Sequence, residues 1–155
     1  MRTSRHDGYI GNERGMTLME LTITLAITAA LSLFMGTELQ AMADRVALNT
    51  AVAEVVGDLR YARTMAVRER TPVQVAMDTD QPSVTLFRSS DLAQPVAPRR
   101  TLNKRGVRTI RSTGGAVLSF QPRGTSATPT TVTLEGRRGD QRIITVSLTG
   151  IVRAR

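Results

Sequence analysis

From Met16 to Gly36 the chain reads MTLMELTITLAITAALSLFMG, an apolar stretch of about 20 residues interrupted by one charge, Glu20. As a helix rising about 1.5 Å per residue it reaches across a hydrocarbon core, so residues 16–36 predict a membrane-spanning helix. Residues 1–15 are polar, carry Arg2, Arg5 and Arg14, and close on Gly15; they predict a leader, not a folded element. The basic flank favours a cytoplasmic N-terminus and an exported remainder, an asymmetry that Arg45 weakens.

Beyond Gly36, where a kink is expected, the pattern stays helical and becomes amphipathic. Leu39, Met42, Val46, Val52, Val56, Leu59, Ala62 and Ala66 recur at helical spacing and predict one apolar face over 37–71. Pro72 stops the helix near Arg68 to Thr71. Six short β-type runs come next, at Val73–Met77, Val84–Phe87, Val107–Ile110, Ala116–Phe120, Thr131–Leu134 and Arg142–Leu148. Turn residues such as Gln81-Pro82, Gly114-Gly115 and Gly136 to Gly139 separate them, so antiparallel hairpins are expected. In the last run Ile144, Val146 and Leu148 share a face that is expected to pack on the helix. Asp91 to Arg100, with two prolines and little periodicity, reads as a mobile loop. The expected fold is α+β: one long N-terminal helix, membrane-spanning in its first half, packed on a small antiparallel head over 72–155.

The 155 residues suffice for one small domain plus an appended segment. There is no cysteine, so disulfides and thiolate chemistry are excluded. The only histidine, His6, lies in the expected leader, so the processed chain has no Ser-His-Asp, Cys-His or His-metal chemistry to offer. Asp78-Thr79-Asp80 lacks the glycine and distant glutamate of a calcium loop and reads as a turn. An enzyme is not expected, and neither catalytic residues nor a metal nor a cofactor is. Lys and Arg number 21 against 13 acids, and residues 88–155 hold 13 basic side chains against Asp91, Glu135 and Asp140. Such a balance suits solvated arginines on an exported head, or an anionic partner.

Glu20 requires an explanation, because a carboxylate in a membrane helix costs on the order of 2.5 to 3.5 kcal/mol on insertion scales. A cut after Gly15 would give Met16 a free ammonium one turn away, and in an assembly the same carboxylate can neutralise a neighbour's terminus. An ordinary signal peptide cleaved at Thr28-Ala29-Ala30 is the alternative, and it leaves Glu20 unexplained. Gly15-Met16-Thr17-Leu18-Met19-Glu20-Leu21 resembles the class III prepilin signal, with Met16 in the place usually held by Phe. The resemblance implies cleavage between Gly15 and Met16 by a prepilin peptidase, methylation of Met16, and assembly through Glu20. It also implies an inner-membrane subunit with its head in the periplasm and other pilin or pseudopilin subunits as partners.

Asp58 to Val67 followed by Pro72-Val73, Phe120-Gln121-Pro122-Arg123-Gly124, and Thr149-Gly150-Ile151-Val152-Arg153 are similar to the GspH/FimT group. That group comprises minor pseudopilins of type II secretion and minor pilins of type IV pili. Leu59, Ala62 and Ala66 read as core; Arg60 and Arg63 are expected to project sideways, solvated or facing neighbouring subunits. Some members of the group bind DNA through a C-terminal Gly-Arg-x-Arg sequence, and here Ile151 replaces the first arginine. In an extended tail Arg153 and Arg155 face one way, roughly 7 Å apart, within reach of one phosphate backbone. Two functions therefore stand: a structural filament subunit, or a receptor for double-stranded DNA.

Overall fold

The computed structural model describes residues 15–155, and the helix at 33–37 without its side chains. The chain forms two compact units, Met1–Leu39 and Gln40–Arg155. The expected leader up to residue 14, His6 included, lies outside the described residues, while Gly36, where a kink is expected, falls within an uninterrupted helix.

Helix α1 runs over Leu18–Glu69. It stops where Arg70 takes the left-handed conformation, with φ 53°, two residues before Pro72. In the first unit its described apolar side chains, among them Leu18, Leu21, Leu25, Ile27 and Leu31, are all exposed. Among the described residues no helix is long and apolar enough to cross a membrane. The described run from Leu18 to Ser32 would cover only about 22 Å, short of a hydrocarbon core of about 30 Å. The expected span of 16–36 extends into residues 33–37, whose side chains lie outside the description.

In the second unit the helix presents Leu48, Ala51, Val52, Val55, Val56, Leu59, Ala62 and Ala66 to the core. Leu39, Met42 and Val46 were expected on that face, but each is 64% exposed. Among the described residues upstream of Leu48 only Ala41 is buried, so Leu39, Met42 and Val46 are left without cover.

The strands are β1 (Val73–Asp78), β2 (Ser83–Arg88), β3 (Asp91–Pro95), β4 (Arg100–Thr101), β5 (Val107–Ser112), β6 (Val117–Phe120), β7 (Thr130–Gly136), β8 (Gln141–Val146) and β9 (Val152–Ala154). They form two antiparallel sheets in place of one. The first has the order β3-β2-β1-β6 with β4 also on β2, and the second has the order β5-β7-β8-β9. Alternation explains the pleat: Val73, Val75 and Met77 of β1, and Val132 and Leu134 of β7, point inward. One hydrophobic cluster joins the helix face to both sheets through Leu59, Phe120, Leu118, Ile110, Leu134 and Ile144.

Asp91 to Arg100 is a strand-bearing segment, not the expected mobile loop. Strand β3 is exposed along its whole length and pairs on the free edge of β2, where Pro95 is tolerated because an edge residue needs no second partner. Arg99 and Arg100 fasten the end of the segment by ion pairs to Asp78 and Asp58. The last predicted strand ends at Val146, two residues early. Leu148 falls in the turn after it and is 56% exposed, so it does not join Ile144 and Val146 on the helix. Asp78 makes the expected turn, its Oδ1 accepting the N–H groups of Asp80 at 3.0 Å and Gln81 at 3.1 Å.

Candidate functional site

Gly15 and Met16 precede the first helical turn, and no other part of the described chain approaches Gly15. Thr17 caps the helix: its Oγ1 accepts the Glu20 N–H at 3.2 Å, and its carbonyl accepts the Leu21 N–H at 3.1 Å. Thr17-Leu18-Met19-Glu20 is thus a capping-box sequence, a signal carried by the spacing that apolar periodicity alone does not reveal. Glu20 sits in the first turn, where the positive end of the helix dipole favours a carboxylate. Further along, each hydroxyl donates back to a carbonyl about one turn earlier. Thr22 bonds Met19 at 2.8 Å, Thr24 bonds Glu20 at 2.9 Å, Thr28 bonds Thr24 at 2.7 Å and Ser32 bonds Thr28 at 2.8 Å. The hydroxyls of residues 22–32 are therefore satisfied without water.

At the other end of the helix, sequence segments far apart meet. Arg63 was expected to project outward. Instead its Nε donates to the Gly124 carbonyl at 2.9 Å and its Nη2 donates to the Thr149 carbonyl at 3.3 Å. Gly124 and Gly150 have φ of 78° and 74°, and a Cβ on Gly150 would collide with the Gly124 carbonyl oxygen. The three sequences similar to the GspH/FimT group thus converge on one node, tied by Arg63 and closed by two glycines that cannot carry side chains there. Arg60 is exposed, as expected.

A second tie clasps the β4 region to the helix. Arg100 grips Asp58 through Nε at 2.6 Å and Nη2 at 3.1 Å, and Arg105 Nη2 meets Glu54 Oε1 at 2.9 Å. Arg88 is bidentate to Glu69, at 2.7 and 3.0 Å. Its hydrogen bond and charge hold the Glu69 carboxyl below the ordinary value of 4.5.

The tail is extended. Strand β9 pairs Arg153 with Thr145, and Arg155 exchanges backbone bonds with Ile143 at 2.8 and 3.2 Å. Arg153 and Arg155 therefore share the outward face, opposite buried Ile144, Val146 and Val152. Cross-strand registers Ile143↔Thr133 and Thr133↔Arg111 place a third guanidinium in the Arg155 row; the same face also carries Glu135. A shallow cleft of about 300 Å³ lies beside it, lined by Thr145, Ser147, Thr149, Ile151 and Arg153.

A long helix packed through its second half on antiparallel sheets, and opening on Gly15-Met16-Thr17-Leu18-Met19-Glu20, defines a type IV pilin-like subunit. The family described as Type II transport protein GspH matches residues 51–150. The chain belongs to that family. The type IV minor pilin FimU of Pseudomonas aeruginosa shares the fold, with a TM-score of 0.61 at 20% identity over 72% of this chain and 90% of that one. So does the minor pseudopilin EpsH of the Vibrio cholerae type 2 secretion system, at 0.59 and 17% over 70% and 95%. At these identities the likeness is one of fold. No curated protein matches the chain by sequence.

Proposed function

We propose that this chain is a minor subunit of a type II secretion pseudopilus or a related type IV pilus filament. Prepilin peptidase cuts between Gly15 and Met16 and methylates the new amine. The apolar helix then anchors the subunit in the inner membrane and serves as its assembly spine, with the head in the periplasm. The observation that carries this reading is a GspH-family head attached to a helix whose described apolar side chains are all exposed in the first unit. Such a surface needs lipid or other helices to cover it, and satisfied hydroxyls suit either environment. Glu20 pairs with the Met16 ammonium of a neighbouring subunit, offsetting its burial. Mass spectrometry of the N-terminus from membranes tests the proposal. A methylated Met16 start is expected; an uncut chain, or a start near Leu31, overturns it.

Reception of double-stranded DNA is the second reading, favoured by the shared outward face of Arg111, Arg153 and Arg155. Binding through phosphates would weaken with salt and ignore sequence. Titration with duplex DNA should show binding that weakens, with a shallower salt slope, in Arg153→Ala and Arg155→Ala. Absence of binding at low salt removes this reading.

A further inference from the structure

Between the end of α1 and the turn at residues 121–125 lies a cleft of about 340 Å³, lined by Arg63, Thr64, Val67, Arg68, Arg123 and Gly124. Three arginines and no acidic residue line it. Elsewhere on the head the arginines nearest to acids are neutralised: Arg88, Arg99, Arg100 and Arg105 take up Glu69, Asp78, Asp58 and Glu54. Among the described residues neither Arg63, Arg68 nor Arg123 has an ion-pair partner. Arg63 is half-buried and bonded only to two carbonyl oxygens, so its charge is held in place without a counter-ion. Three of its five N–H groups remain to donate, already oriented. The floor is apolar, since Val67 is 48% exposed.

We propose that this cleft is the docking site for a carboxylate-bearing peptide segment of a different, acidic filament subunit. The inference rests on the proposed place of the chain in a filament. Guanidiniums fixed in advance bind carboxylates bidentately with little further loss of freedom, and Val67 accepts an apolar neighbour in the same segment. The cleft admits a side chain or two, whereas a duplex needs a broad face. A second copy of this chain is a poor occupant. Its net charge is +8, and loss of residues 1–15, with Arg2, Arg5 and Arg14 against Asp7 and Glu13, removes only one unit. Like charges of that size repel.

The test titrates the full chain in neutral detergent micelles with a fluorescein-labelled peptide of alternating glutamate and valine, read by anisotropy. The variant Arg68→Gln/Arg123→Gln leaves the Arg63 tie intact, and Arg137→Gln/Arg138→Gln on the turn after β7 removes the same charge elsewhere. The cleft variant is expected to bind about tenfold more weakly and the control within about twofold of the parent. Equal weakening in both variants, or no binding by the parent, overturns the proposal. Tighter capture of a DNA duplex with the same dependence on Arg68 and Arg123 overturns it in favour of nucleic acid. The processed N-terminus reports separately on filament membership, so the two readings can fail independently.

Discussion

Arg63 performs two tasks with one side chain. Two of its N–H groups close the node between the helix, the Gly124 turn and the Gly150 turn, and the same residue lines the cleft. Arg63→Met strands two carbonyl oxygens and should cost about 1–3 kcal/mol. Gly150→Ala forces a side chain into left-handed backbone against the Gly124 carbonyl, and should cost about the same. Because the two residues share partners, their effects should couple by at least about 0.5 kcal/mol in a double-mutant cycle read by urea denaturation. Strict additivity would mean that they do not form one unit. None of this is legible in the sequence, because a guanidinium satisfied by backbone carbonyls leaves no complementary side chain to find. The glycines are visible as parts of recurrent sequences, but their shared location is not.

Elements are legible where burial imposes a period. Val73, Val75 and Met77, and the stop at Pro72, announce β1 and the helix end. Strand β3 is hidden because all five of its residues are exposed, and β9 because Val152 is its only buried side chain. Both are held mainly by backbone pairing, which side-chain pattern does not report. The opposite error gives Leu39, Met42 and Val46 a partner they lack, since helical spacing reveals a stripe but not what covers it.

Ion pairs between elements carry a pH signature. Arg88 holds the Glu69 carboxyl below 4.5, chiefly by hydrogen bonding. The Gln81 N–H first, with Asp80 and Arg99, holds Asp78 below 3.8. Carboxyls depressed on folding contribute stability above their unfolded values and lose it as pH falls through the folded ones. The urea midpoint should therefore change little from neutrality to about pH 5, fall below about pH 4.5, and fall less steeply in Glu69→Gln. An identical acid limb in that variant would deny the pair its role.

For the whole molecule, anchoring and head stability should separate. Glu20 lies in the exposed first turn of the helix, outside the unit that holds the core. Glu20→Leu should leave the urea midpoint of the head unchanged while abolishing recovery of the subunit in sheared or pulled-down filaments. Normal incorporation would sink the proposed charge pairing. The α+β class is readable from the apolar run, Pro72 and the short runs beyond it, and the pilin-like character from the resemblance of Gly15 to Leu21 to a prepilin signal. The division of the head into two sheets is not, because strand order depends on long-range pairing.

The contact between Arg63 and Thr149 spans 86 residues of sequence. A chain whose residues emerge in sequence order cannot close this node until Thr149 is out. Long loop closures of this kind also slow folding. The Arg63 latch therefore falls late, once nearly all of the head has emerged.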